Sequence, residues 1–532
     1  VVMRLLKTWV AAGMLAASLG AVADDGPVLQ RIAERGVVSA CTNVENRPFA
    51  YLTPSGKAVG FNADLLENLR QSLSSRLGRE ISAQTIPTSG ANRVPFVQQG
   101  KCDVIITGFS VTEERQRLVD FIFPGFYASG AVLLTRDDQV VESWESLRGQ
   151  TLCSSQGSTY NQSVAERYGV NILAFAGLTE SAQALRDRRC IGQVMDEAVA
   201  RLRLQDSQQW QGYRIQLPVI LEAPWSLAVA KGDPQWRTLL EQLALHWRQS
   251  GFLYELESRY GLPHKHPLDP NEVESAVQDK QSLPYFLQRL TDGFERLNTR
   301  TGWNFPVFYD GWTARQFASG IVTTLQLSAI GILGSCLIGL FGALAMGASK
   351  SLRWLVRGYV ELLRNTPSLA QLYFIYFGVG ALLRGGLEGG AAPWYANPFG
   401  LAALCITLHY GAFAVEIVRA GLLAVPTSTR DAALALGYGR AARLWHIQLP
   451  LALRACLPAL GNNMVQLIKG SSIAYAVAVP EVLYSAQEIW SERYNVVEMM
   501  LLVLVTYFSA MAVLAWALHC LERRLHIPGG GA

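Results

Sequence analysis

Two regimes of apolar patterning divide the chain. Between residues 26 and 264, short apolar runs alternate with stretches of helical periodicity. Val37–Cys41, Asp103–Thr107 and Ala131–Thr135 are brief β-branched or apolar runs of the kind that form buried strands. Phe61–Leu77 and Ser181–Arg188 repeat their apolar positions at helical spacing. This alternation predicts an α/β domain of parallel sheets with covering helices. A length of about 240 residues permits two lobes. Ser129–Leu134 and Ala223–Val229 are the candidate crossings. They would leave Ile32–Tyr127 and the last helices in one lobe and Asp137–Gln216 in the other.

Residues 313–525 behave differently. Their apolar runs reach bilayer length and predict an all-α membrane domain of about five spans. These fall near 319–347, 362–383, 399–424, 455–479 and 497–519, with Thr366-Pro367 interrupting the second. Basic residues crowd alternate loops. Lys350, Arg353 and Arg357 follow the first span, Arg430, Arg440, Arg443 and Arg454 the third, and Arg523 and Arg524 the fifth. The opposite loops hold Arg384 and Arg493. Loops rich in Lys and Arg stay in the cytoplasm. The first span therefore enters from outside, the C-terminus is cytoplasmic, and the N-terminal domain is outside the cytoplasmic membrane.

The ends and joints fit that layout. Residues 1–23 read as an export signal, with Arg4 and Lys7, an apolar core from Trp9 to Leu19, and a small-residue cleavage site Ala21-Val22-Ala23. A membrane anchor is the alternative, and the core is short for one. Residues 265–312 form a linker. It opens on turn-rich sequence and continues through Ser282–Leu297, whose Leu283, Phe286, Leu287, Leu290, Phe294 and Leu297 share one stripe. That stripe suits the membrane surface, the membrane bundle or the soluble domain alike.

Composition narrows the function. At 532 residues the chain exceeds one ordinary domain. Charged residues make up 17% and mean hydropathy is +0.18, which suits a mixture of soluble and membrane parts. Net charge is +4, without a basic patch interleaved with aromatics, so nucleic acid is an unsuitable partner. No nucleophile–base constellation stands out, and no cofactor is implied. The phosphate-loop pattern G-x4-G-K-[S/T] is missing, so any ATP chemistry belongs to another chain. Of eight cysteines, Cys41, Cys102, Cys153 and Cys190 lie in the exported part, where disulfides persist. A Cys41–Cys102 bridge requires neighbouring strands. Cys336, Cys405, Cys456 and Cys520 fall in or beside spans and read as packing residues. No Cys or His spacing suggests a metal.

One polar, basic stretch stands between the apolar runs: Arg430–Pro450, RDAALALGYGRAARLWHIQLP. Helical spacing covers Asp431, Ala432, Ala433 and Leu436. Gly437 and Gly439 make a corner, and a second short helix runs from Arg440 to a stop at Pro450. A plain surface hairpin would satisfy this pattern. The stretch also resembles the cytoplasmic coupling-loop signature of ABC importer permeases, E-A-A-x3-G-x9-I-x-L-P. Ile447, Leu449 and Pro450 occupy its closing positions, and Asp431 stands for the glutamate. Glu361–Pro367 with Gln371-Leu372, Glu416–Arg419 and Lys469–Ser472 are further stretches similar to amino-acid ABC permeases. The resemblance implies that Asp431, Ala432, Ala433 and Gly437 meet a separate cytoplasmic ATPase and that two permease domains pair, most simply as a homodimer. Glu416, Gln466 and Lys469 are pathway candidates, with helix-end snorkelling or an interhelix hydrogen bond as the alternative.

The soluble part resembles periplasmic binding proteins for polar amino acids, family 3. The matching stretches are Arg47-Pro48-Phe49 with Val59–Leu65, Asn92–Pro95 with Gln99–Asp103, Thr107–Arg115, Val119–Phe121, Gln156–Tyr160 and Met195–Glu197. Their order implies a type II clamshell. Its ligand would lie among Asn43, Asn46, Arg93, Thr107, Gly108, Ser110, Arg115, Ser158, Thr159 and Asp196. Arg115 would fork the ligand carboxylate, and Asp196 would pair the ammonium from the other lobe. Plain alternatives exist: a surface charge for Arg115, a helix N-cap for Asp196, a surface helix start for Arg93. The resemblance also implies a Cys153–Cys190 bridge. Three departures bear on specificity. Asn43 stands where the family often has Asp, Asn46 where it has an aromatic, and Gly90 where many members place an aromatic platform. Arg93, in an N-R-x-P element similar to the glutamate/aspartate-binding branch, favours acidic or amide ligands.

The expectation is thus the binding and membrane subunit of an ATP-driven amino-acid importer in a bacterial inner membrane, with lipid, the ligand and an ATPase as partners. An amino-acid-gated channel would insert its pore spans inside the clamshell, and here the clamshell motifs all precede the first span. An amino-acid-sensing receptor would carry a signalling segment, which the residues after Leu525 do not resemble.

Overall fold

The computed structural model describes residues 26–205, 210–265, 293–294, 296–298, 300–384 and 393–525. The expected signal segment and most of the amphipathic stripe at 282–297 lie outside the described residues. The chain divides into two compact units, one α/β and one helical.

In the α/β unit the strands are β1 (Val37–Thr42), β2 (Glu45–Asn46), β3 (Ala50–Leu52), β4 (Ala58–Val59), β5 (Ser82–Pro87) and β6 (Val104–Ile105). They continue with β7 (Asp120–Arg136), β8 (Thr151–Ser155), β9 (Asn171–Phe175), β10 (Gly192–Asp196), β11 (Tyr213–Ile215) and β12 (Ile220–Val229). Nine of them form one sheet, in the order β5-β1-β6-β12-β7-β10-β8-β9, with β11 on β7. Pairing is parallel on both flanks, as the alternation of strand and helix patterns requires. The two long central strands, β7 and β12, are antiparallel.

Those two strands are the crossings. The N-terminal part of β7 pairs with β12 in lobe 1, and its C-terminal part, Ala131–Thr135, pairs with β10 in lobe 2. Register breaks between Ile220 and Ala223, where Leu221 has φ +54°. A second break, between Trp225 and Leu227, falls within the expected Ala223–Val229 segment.

Helices cover the sheet as their apolar spacing dictates. Phe61–Leu77 buries Phe61, Leu65, Leu66, Leu69 and Leu73 on one face. Lobe 2 closes around Leu133, Trp144, Leu152, Val164 and Val194. Adjacent parallel strands β1 and β6 bring Cys41 and Cys102 together in a disulfide, with Cα atoms 5.6 Å apart. Cys153 and Cys190 form the second bridge.

Among the described residues, three helices of the helical unit are long and apolar enough to cross a membrane: Gly311–Ala348, Pro398–Ala424 and Val496–Arg524. Lys350–Arg364 and Ser368–Leu383 would make a fourth span, bent by 110°. With the helix Leu449–Gly470, these elements account for the five expected segments, although the fourth falls below that apolar measure. Leu449–Gly470 is helical where span four was placed. Arg454, Asn462, Asn463, Gln466 and Lys469 dilute its apolar content.

The first and third spans approach closely through glycine. A Cβ on Gly339 would stand 2.6 Å from that of Ala414, so the contact needs a hydrogen there. The bend at Thr366-Pro367 also has a local cause. Pro367 has no N–H for the Leu363 carbonyl. The Gln371 side-chain amide supplies one instead at 2.8 Å, and also reaches the Thr366 carbonyl and hydroxyl at 3.1 and 2.7 Å.

Candidate functional site

The cleft between the two lobes of the α/β unit gathers most of the expected residues. Thr107–Ser110 follows β6 on the floor of lobe 1. The short helix Glu113–Gln116, capped by the Thr112 hydroxyl, presents Arg115. Arg93 opens the helix Arg93–Gln98. Both arginines are buried, at 8% and 3% exposure. Their guanidiniums lie 4.6 Å from the Phe109 ring centroid. Arg115 donates to the Ser110 carbonyl and, across the cleft, to the Gly157 carbonyl, both at 3.1 Å. Arg93 reaches the same Gly157 carbonyl at 3.4 Å. The lobes thus meet, with two cations converging on one point of lobe 2.

Asp196 ends β10 on the lobe 2 side. It accepts a hydrogen bond from the Tyr160 hydroxyl at 2.8 Å. Burial raises its carboxyl to about 6, against the lowering effects of that bond and of the Arg93 and Arg115 charges. Burial likewise holds the Tyr160 phenol well above its ordinary range, with Asp196 adding to the shift.

The remaining expected residues divide. Thr107 is 2% exposed, and its hydroxyl accepts from the Asn43 backbone at 3.4 Å. Gly108 lies against Trp225, where a Cβ would come within 3.0 Å of the ring. The Ser158 hydroxyl accepts from Tyr160 N at 3.4 Å, and Thr159 precedes the helix Tyr160–Tyr168. Asn46 is buried at 5%. The Asn43 side chain instead accepts from Glu45 N at 2.9 Å, which spends it on a local turn.

Phe109 and Tyr160 are functional candidates that the site assignment from sequence left out. Both lie within quoted motifs, Thr107–Arg115 and Gln156–Tyr160. Nothing in one sequence distinguishes them from core aromatics. Gly90 also gains a role. A Cβ there would strike the Gln156 carbonyl and lie 3.1 Å from Gly157 Cα. Its lack of a side chain lets the lobes approach, and Phe109 is the aromatic surface beneath the arginines.

The helical unit contains a second polar feature. A cavity of about 400 Å³ is lined by His409, Tyr410, Phe413, Ile417, Ala459, Asn462, Asn463 and Gln466. It lies along the middle of helices Pro398–Ala424 and Leu449–Gly470. Of the three pathway candidates, only Gln466 lines it. Glu416 is paired with Arg419 at 2.6 Å, and Lys469 is exposed.

The segment Arg430–Pro450 forms the expected corner. Helix Thr427–Ala435 ends before Gly437, at φ +81°. A short helix, Arg440–Arg443, follows. Asp431, Ala432 and Gly437 are exposed, and Ala433 is 3% exposed. Arg430 ties the element down by donating to the Leu422 carbonyl at 2.6 Å. Pro450 is not the stop expected of it. A π-helical stretch, Leu444–Gln448, leads directly into Leu449–Gly470, with Pro450 in its first turn. The missing Pro450 N–H falls just after the π-helical turn, a local irregularity of the kind that accompanies proline in a continuing helix.

The α/β unit thus carries a two-lobed cleft with buried charges, and the helical unit an exposed helical corner. Residues 38–263 match the bacterial extracellular solute-binding proteins, family 3, and residues 335–527 match the binding-protein-dependent transport system inner membrane component. The glutamine transport system permease protein GlnP of Escherichia coli strain K12 is 32% identical over 212 residues, 39% of this chain and 92% of that protein. The L-cystine transport system permease protein TcyB of Bacillus subtilis strain 168 is 31% identical over 217 residues, covering 39% and 86%. Among solved structures, the solute receptor for L-cysteine of Neisseria gonorrhoeae aligns at TM-score 0.40 and 23% identity, over 44% of this chain and 92% of that one. Holo ArgBP from T. maritima aligns at TM-score 0.38 and 24% identity, covering 43% and 99%. The chain belongs to the binding-protein-dependent transport system inner membrane component family. It is an amino-acid ABC transporter permease fused to a solute-binding domain.

Proposed function

We propose that this chain captures polar L-amino acids, acidic or amide ones by preference, and passes them through its own permease unit in an ATP-driven importer. The convergence of Arg93 and Arg115 on one carbonyl, with Asp196 on the facing lobe, carries this reading. A free amino acid presents a carboxylate and an ammonium. Arg115 takes the carboxylate as a fork, and Asp196 takes the ammonium. Arg93, on the same Phe109 surface, meets a side-chain carboxylate or amide oxygen. Ser110, Thr107, Gly108, Ser158 and Thr159 border this space, and closure completes the polar contacts.

Delivery follows from the helical unit. The cavity between helices Pro398–Ala424 and Leu449–Gly470 offers amide, phenol and imidazole groups, with Gln466 among them. Such groups suit a zwitterion that must bind and leave. The corner around Gly437 docks a separate cytoplasmic ATPase, two permease units pair as a homodimer, and the solute-binding unit faces the periplasm.

The test is a binding titration of the full chain in lipid nanodiscs with L-glutamate, L-aspartate, L-glutamine, L-arginine and L-histidine. Preference for the first three, with glutamate affinity falling at least about tenfold in Arg93→Ala, supports the reading. Preference for arginine or histidine overturns the specificity, and binding of none overturns the substrate class.

A further inference from the structure

The last described residues of the solute-binding unit are Pro263, His264 and Lys265, where the chain departs for the linker. They make more contacts than a departing strand needs. The Tyr127 hydroxyl donates to the Pro263 carbonyl at 3.4 Å. His264 Nδ1 lies 3.0 Å from Glu257 Oε2, and its ring stacks on Tyr254 with centroids 4.0 Å apart. Both partners stand on the helix Phe252–Arg259 of lobe 1. Lys265 Nζ then donates to Glu197 Oε2 at 2.7 Å and to Glu222 Oε1.

Those two carboxylates are on the other side of the hinge and on the hinge itself. Glu197 opens the lobe 2 helix Glu197–Gln205, directly after Asp196. Glu222 lies on β12 beside Leu221, within the break in register between Ile220 and Ala223. The start of the linker is therefore fastened to lobe 1 through His264 and to lobe 2 through Lys265. Glu197 is only 6% exposed, so this ion pair is less screened than a surface pair. Rotation of lobe 2 away from lobe 1 moves Glu197 relative to the His264 anchor and so loads its pair with Lys265.

We propose that Lys265 is a positioning residue for amino-acid capture, a latch by which the departing chain holds lobe 2 closed. It acts through Glu197 and Glu222 and touches no ligand. A loaded, closed clamshell keeps Lys265 seated, and an open one releases it. The proposal rests on the clamshell reading above but not on the identity of the amino acid.

Hydrogen exchange of the full chain in nanodiscs, without added amino acid, tests it. In Lys265→Met, the amides of Gly157–Asn161 and Arg93–Val94, which line the closed cleft, should exchange about fivefold faster. Amides of β1 and β8, inside each lobe, should be unchanged, and Lys265→Arg should retain wild-type protection. Equal cleft exchange in wild type and Lys265→Met overturns the latch. Faster exchange spread evenly over both lobes also overturns it, because that marks a general loss of stability. Repeating the measurement with L-glutamate separates the two readings. If wild type shows no added protection, the acidic-ligand reading fails while the comparison of variants still decides the latch.

Discussion

At the scale of single residues, Asp196 makes the sharpest demand. It sits among two arginines, yet burial leaves its carboxyl at about 6. In the proposed role, an ammonium pairs with the ionised form. Affinity should therefore hold at pH 7 and fall as pH drops below about 6, approaching tenfold per pH unit by the linkage of binding to proton release. Asp196→Asn should bind weakly and lose that slope. The unliganded protein should show the opposite sign. A carboxyl whose pKa is raised on folding contributes stability that is full below about pH 4. That stability is lost as pH rises through 6. Titrations between pH 5 and 8, with thermal melts of the unliganded chain over pH 4 to 8, check both. Gly90 gives a steric counterpart. Gly90→Phe should wedge Gln156 and Gly157 away from lobe 1 and weaken binding while the fold persists, seen as lost affinity with unchanged circular dichroism. Arg93, Arg115 and Asp196, which the motifs named, come together in one cleft. They could not show that Asn43 is committed to a turn, because an Asn that caps its own backbone and one that faces a ligand look alike in sequence.

At the scale of elements, the bend after Arg364 rests on one side chain. Thr366-Pro367 marks a break in any reading of the pattern, but its stabilisation depends on the Gln371 amide reaching three oxygens. Gln371→Leu should remove the amide donor to the Leu363 carbonyl and to Thr366, at a cost of about 1 kcal/mol. A lower midpoint in thermal unfolding of the nanodisc-embedded chain would show it. Gln371→Glu should be hardly better, since a carboxylate only accepts. The same locality explains what the elements disclosed in advance. Phe61–Leu77 was legible to the residue, because its apolar positions repeat on one face. β7 was seen only as Ala131–Thr135, since its first half carries Pro124 and Gly125 and pairs irregularly with β12. The span expected near 455–479 is helical through Gly470, and its Asn462, Asn463 and Gln466, which lower its apolar content, line the cavity.

At the scale of the whole molecule, two domains with different solvents share one chain, and that division was plain from hydropathy alone. What hydropathy left open was the mechanical join between them and the join to a motor. The corner at Gly437 is where the second join should lie. Its φ of +81° is easy for glycine and strained for a β-branched residue. Gly437→Val should cost about 1–3 kcal/mol locally and swing the helix Thr427–Ala435 away from Arg440–Arg443. The cleft, in a different unit, should not register the change. In proteoliposomes containing the chain and the ATPase proposed for it, the variant should bind amino acid with wild-type affinity. It should lose amino-acid stimulation of ATP hydrolysis, and ATP-driven uptake should fall at least about tenfold. Uptake that continues at the wild-type rate would mean that the corner is a surface turn and that the motor engages the bundle elsewhere. Amino-acid flux that proceeds without ATP in either protein would mean that the bundle is a channel opened by its clamshell.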